Sequence, residues 1–69
     1  MEDPTKIQNI HEGVSVKIKL LSDPSRFFDG TVSKVLSKED DNDGIVVTLI
    51  SGRTGNTIQI LNSDKIIIE

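Results

Sequence analysis

Five cationic side chains of this 69-residue chain are spaced so that they could line one surface and contact phosphates. Lys17 and Lys19 alternate with apolar residues in a segment that predicts a half-buried strand, so both point outward. Lys34 belongs to the next predicted strand and shares that face if the two strands pair antiparallel. Arg26 and Arg53 are in predicted loops that could flank the same face.

Contact with RNA or a ribonucleoprotein is the function that these cations would serve, because cationic grooves follow the phosphate backbone. The alternative is that the lysines only keep a small barrel soluble and protect its edges. The formal net charge of −3 at pH 7 weakens the general case for nucleic acid, since affinity arises mainly from neutralised phosphates. A local basic face can nevertheless bind while the rest of the surface is acidic.

Apolar side chains form a second candidate surface. The segment 45–50 is apolar on both faces of its predicted strand, and three consecutive isoleucines occupy 66–68. A half-buried strand needs one apolar face only, so this surplus indicates cover by the N-terminal segment or by another chain. A protein partner or a homodimer contact would then use Phe28, Val46, Ile50 and Ile67.

No residue pattern in the sequence predicts catalysis or metal binding. His11 is the single histidine, and the chain has no cysteine. The acidic run 39–43 before Gly44 imitates the start of an EF-hand loop. Its first ligand is Glu39 instead of Asp, however, and Ile50 stands where the twelfth ligand should be, so a solvated hairpin tip is the better interpretation. We therefore expect a binding module and not an enzyme, with no catalytic residue, no metal and no cofactor.

Composition limits the chain to one small domain with an aliphatic core, because only two of its residues are aromatic. A chain without cysteine fits a reducing cytosol. No apolar run approaches the ~20 residues of a membrane span, and the acidic N-terminus lacks the layout of a signal peptide. These features predict a cytoplasmic protein with no membrane partner.

Period-two alternation and turn residues predict an all-β fold, a small SH3-like antiparallel barrel of five strands. The strands are expected at about 14–20, 30–37, 45–50, 56–61 and 65–68. The single domain, 1–69, would consist of an N-terminal arm or helical turn at 1–12 and the barrel at 13–68. Ile7 and Ile10 share one face of that arm and would close one end of the barrel.

The same patterns predict a core and the positions of tight turns. The expected core residues are Val16, Ile18, Val32, Val47 and Ile60. At least two of four glycines should have positive φ, with the Asp43-Gly44 tip first among them. These four are Gly30, Gly44, Gly52 and Gly55.

Two stretches of the chain have the spacing of a known short motif. The first comprises Gly13, Val14, Val16 and Ile18, and the second comprises Gly30, Val32 and Val35. Together they resemble the KOW motif of ribosomal and transcription-factor SH3-like barrels. The resemblance implies this fold and is consistent with a ribonucleoprotein role.

A longer match extends over about residues 9–61. It is carried by Asn9, Ile10, Gly13, Val16, Ile18, Leu20, Asp23, Gly30, Val32, Leu36, Gly44, Ile45, Val47, Leu49, Gly52, Gly55 and Ile60. In these positions the chain resembles the YwbE-like family of small uncharacterised proteins, which implies a fold but no activity. The family tends to have His-Pro-His and Arg where this chain has Asp41-Asn42-Asp43 and Asn56, so potential phosphate contacts are missing here.

Overall fold

The computed structural model of the protein describes residues 3–62, in which four antiparallel strands form a closed barrel. The strands are β1 (Ser15–Leu20), β2 (Phe27–Val35), β3 (Val46–Leu49) and β4 (Thr54–Asn62). Each strand pairs with the next one along the chain, and β4 returns to pair with β1. The prediction of an all-β antiparallel barrel is confirmed. The fifth predicted strand, at 65–68 and including Ile67, lies outside the described residues.

Strand β1 forms where the sequence alternates. Val16 and Ile18 point into the barrel and are fully buried, while Lys17 and Lys19, which alternate with them, face outward. The branched side chains of valine and isoleucine favour the extended backbone and fill an aliphatic interior. The period of two therefore placed both lysines on the outer face, as the sequence predicts.

Strand β2 is long and serves two neighbours. Its first half pairs with β1 and its second half pairs with β3. The register shifts between Val32 and Lys34, and Ser33 and Lys34 are both exposed at that point. Such a bulge bends the strand sharply and allows a short sheet to close. The strand begins at Phe27, three residues before the predicted start, because 27–29 pair with the C-terminal half of β1.

The core is aliphatic and agrees closely with the prediction. Four of the five expected residues are no more than 1% exposed, and the fifth, Ile60, is partly buried against them. Ile10, Val14, Ile45 and Leu49 complete the buried cluster. Strand β3 is shorter than the predicted 45–50, because Ile45 precedes the strand and Ile50 belongs to the following turn. Ile45 is nevertheless buried.

The N-terminal segment closes one end of the barrel, which we call the arm end. It contains a single 3-10 turn, Ile7–Asn9, and the side chain of Ile10 inserts into the core. Backbone hydrogen bonds hold the segment along the loop before β3. Asp41 N–H donates to the Thr5 carbonyl at 2.9 Å, and Ile45 N–H donates to the Pro4 carbonyl at 3.1 Å.

Two of the four glycines have positive φ, as predicted. Gly44 has φ +105° and Gly52 has φ +97°, whereas Gly30 and Gly55 do not lie in this region. Gly44 ends the loop that the N-terminal segment covers, and Gly52 lies in the turn between β3 and β4. Among the described residues, no helix is long and apolar enough to cross a membrane.

Candidate nucleic-acid interface

Lys17 and Lys19 lie at the centre of a three-stranded surface formed by β2, β1 and β4. Lys17 is paired with Asp29 of β2 and Gln59 of β4. Lys19 is paired with Phe27 of β2 and Asn56 of β4. Both lysines are partly buried, which is typical of side chains whose aliphatic stems cover the sheet while their ammonium groups reach water.

Arg26 and Arg53 lie over one aromatic ring at the end of the barrel opposite the arm end. Antiparallel pairing brings the start of β2 and the start of β4 to the end where β1 and β3 finish. The Arg53 guanidinium carbon is 4.1 Å from the centroid of the Phe28 ring, and that of Arg26 is 5.7 Å from it. A guanidinium group stacked on a ring is held in place, and its N–H groups remain free for a carboxylate or phosphate.

The two phenylalanines have different environments. Phe28 is paired with the buried Ile18 and packs against the core, so its ring closes the barrel beneath the two arginines. Phe27 points outward beside Lys19 and is 52% exposed. The sequence-based prediction assigns Phe28, and not Phe27, to the interaction surface. Phe27 is the side chain that sequence reasoning missed, because the choice between adjacent residues depends on the register with β1.

Lys34 is not part of this cluster. It pairs with Thr48 of β3, on the part of β2 that lies beyond the first residue of β1. Five residues separate it along β2 from Asp29, the partner of Lys17, which corresponds to about 16 Å of strand. Its neighbours line an open depression near the arm end: Ile10, His11, Glu12 and Val35. The structure thus collects four of the five predicted cations, Lys17, Lys19, Arg26 and Arg53, and we call this region the cationic end.

Most acidic side chains of the described residues belong to the N-terminal segment and to the loop before β3. They are Asp3, Glu12, Glu39, Asp40, Asp41 and Asp43, while Asp23 and Asp29 lie between the end of β1 and the first half of β2. Hydrogen bonds from the Thr5 hydroxyl and then from its backbone N–H hold the pKa of Asp3 below its ordinary value. The end of the acidic loop reaches β4 beside the lysine-bearing surface, because the side chain of Asn56, the partner of Lys19, donates to the Gly44 carbonyl at 3.0 Å.

The acidic loop before β3 uses its carboxylates for local structure. Asp40 accepts a hydrogen bond from Ile7 N–H at 2.9 Å and forms an ion pair with Lys6 at 3.5 Å. Asp41 accepts a hydrogen bond from Asp43 N–H at 2.9 Å. Within residues 3–62 no three histidine or carboxylate side chains group together as metal ligands would. His11 lies near the arm end with Nδ1 at 2.9 Å from the Glu12 carbonyl.

The predicted apolar surface is only partly assembled. Val46 is partly buried, and its N–H donates to the Ser37 hydroxyl at 2.9 Å. Ile50 is 73% exposed in the turn after β3, and its N–H donates to the Thr31 carbonyl of β2 at 2.9 Å. Leu21 and Phe27 are also more than half exposed, but they lie where β1 ends, whereas Thr31, the partner of Ile50, is paired with the first residue of β1.

Comparison of the chain with protein-family models, with curated proteins and with solved structures gave no match. The KOW and YwbE-like resemblances therefore remain predictions. Inference of function depends on the side chains of the cationic end and on the exposed apolar residues.

Proposed function

We propose that the protein is a non-catalytic, cytoplasmic module that binds RNA, free or within a ribonucleoprotein, through its cationic end. The observation that carries the proposal is that Lys17 and Lys19 lie on the outer face of β1 while Arg26 and Arg53 both lie over the ring of Phe28, on the strand paired with β1. The KOW-like spacing supports the same function. We also propose that the barrel is of the SH3-like kind, with 65–68 as its fifth strand.

Binding would depend mainly on phosphates. The two arginines present planar groups that bind phosphate oxygens in pairs, and the two lysines act as point charges on the neighbouring strand. Four phosphate contacts to a single strand give a slope of about −3 in log K against log salt concentration. Affinity should therefore be weak at physiological salt and tolerant of sequence, because contacts with phosphate carry no sequence information directly.

A pair of double charge reversals tests the proposal. Lys17→Glu/Lys19→Glu should abolish binding of fluorescently labelled RNA at low salt, as measured by anisotropy. The matched control, Lys34→Glu/Lys38→Glu, makes the same change in net charge near the arm end and should retain most of the affinity. Equal losses in both variants would show that only net charge matters, and an absence of RNA binding by the unmodified protein would refute the proposal.

A second candidate function is contact with another protein or a second copy of this chain. The exposure of Ile50 favours it, because a large apolar side chain left in solvent is typical of an interface. Val46 and Ile67 would extend this surface. Sedimentation velocity over a range of concentrations distinguishes the two candidates. A mass that rises with concentration in the unmodified protein but not in Ile50→Lys would favour self-association.

A further inference from the structure

We propose that Phe27 is a platform on which an unpaired base stacks, so that the ligand of the cationic end is single-stranded RNA. This inference depends on the proposed function and adds the class of nucleic acid to it. Phosphate contacts alone do not distinguish a single strand from a duplex. An exposed aromatic ring does so, because its partner must be a base whose face is free.

The position of Phe27 suits this role. It is the first residue of β2 and lies on the outer face directly opposite Lys19, so the ring and the ammonium group belong to one cross-strand pair. Adjacent side chains on one face of an antiparallel pair are about 5 Å apart. A base stacked on the ring would therefore bring its own phosphate within reach of the lysine. Lys17, two residues away on the same face, is about 7 Å further along β1 and could contact a neighbouring phosphate.

Of the two aromatic rings, Phe27 is the one that a ligand can reach. Phe28 packs against the core, and the Arg53 guanidinium lies over its ring at 4.1 Å. Within residues 3–62, no cation lies over the Phe27 ring, which is 52% exposed. Arg26 precedes Phe27 in the chain and adds positive charge at the same edge. Charge and an accessible ring thus coincide at the start of β2, as they do on proteins that bind single strands.

The absence of tryptophan and tyrosine allows a direct test of stacking. Phe27→Trp introduces the only indole in the protein. Its fluorescence should be strongly quenched when the variant is saturated with oligouridine of about ten nucleotides, a length within the site sizes of small barrels. The control Leu36→Trp places an indole at a side chain that is 42% exposed near the arm end, and it should show little quenching.

Affinity gives the second measurement. Phe27→Leu keeps an apolar side chain but removes the ring face, and it should weaken binding of the labelled single strand about tenfold or more. Binding of a duplex RNA with the same number of phosphates should be unchanged in this variant. Far-UV circular dichroism checks that Phe27→Leu is folded, and the Phe27→Trp quenching experiment does not depend on that variant.

The outcomes separate the two proposals. If RNA binds the unmodified protein but Phe27→Leu loses no affinity, or if Phe27→Trp is not quenched, stacking is refuted and phosphate binding remains. Loss of duplex and single-strand affinity to the same degree would also refute stacking. If neither RNA binds the unmodified protein at low salt, the proposed function fails and this inference fails with it.

Discussion

Gly44 shows how a single residue connects a loop to the strand behind it. Its backbone has φ +105°, and a Cβ at this position would collide with the carbonyl oxygen of Thr57 on β4. The Gly44 carbonyl also accepts a hydrogen bond from the Asn56 side-chain amide at 3.0 Å. The loop can approach β4 this closely only because glycine has no side chain.

Gly44→Ala should destabilise the protein by roughly 3 kcal/mol or more, because backbone strain and a clash with main-chain atoms are combined. Gly52→Ala is the matched control, since Gly52 has φ +97° but no atom near its missing Cβ. It should cost only about 1–2 kcal/mol, from backbone strain alone. Urea denaturation followed by circular dichroism measures both. Equal losses would mean that the approach to Thr57 contributes nothing.

At the scale of elements, the N-terminal segment is part of the barrel's core. Ile10 is 4% exposed, and Ile7 packs against the same cluster. Backbone hydrogen bonds to the loop before β3 and the Asp40 carboxylate fix the segment in place. In a domain this small, one extra buried isoleucine is a large share of the total stability.

Ile10→Ala should therefore reduce the free energy of unfolding by about 2–4 kcal/mol, from lost transfer energy and the cavity left behind. Ile50→Ala makes the same chemical change at a side chain that is 73% exposed and should be nearly neutral. Thermal or urea unfolding compares the two. A neutral Ile10→Ala would show that the arm does not stabilise the barrel.

For the whole molecule, the distribution of charge matters as well as the net value of −3. The acidic loop ends at Gly44, whose carbonyl accepts a hydrogen bond from the side chain of Asn56, the β4 partner of Lys19, so the loop approaches the lysine-bearing surface. The Debye length is about 10 Å at 0.1 M salt and about 30 Å at 0.01 M, so the loop should repel RNA at the cationic end most strongly at low salt.

Neutralising Glu39 and Asp43 tests this long-range effect. Both side chains are exposed, and among the described residues neither carboxylate accepts a hydrogen bond. Glu39→Gln/Asp43→Asn should increase the association rate with RNA at about 0.01 M salt, and the increase should become smaller as salt rises to about 0.1 M and above. Stopped-flow fluorescence measures the rate. An increase that persisted at high salt would point to a direct contact at the acidic loop.

Several features follow from the sequence because they depend on local chemistry. The alternation around Val16 and Ile18 has a period of two, so it predicts both the strand and its buried face. Gly44 and Gly52 follow polar turn residues, and this predicts their positive φ. Ile7 and Ile10, spaced by three, indicated that the N-terminal segment covers the barrel.

Other features were decided only by tertiary structure, because strand pairing is not local. The bulge after Val32 turns β2 from β1 to β3, which separates Lys34 from Lys17 by the length of half a strand. Pairing also extends β2 back to Phe27 and sets that ring opposite Lys19. A shift of one residue in this register would expose Phe28 instead, and nothing in the local sequence fixes that choice. The alternating pattern therefore shows which side chains face outward, while the closed sheet determines which of them meet.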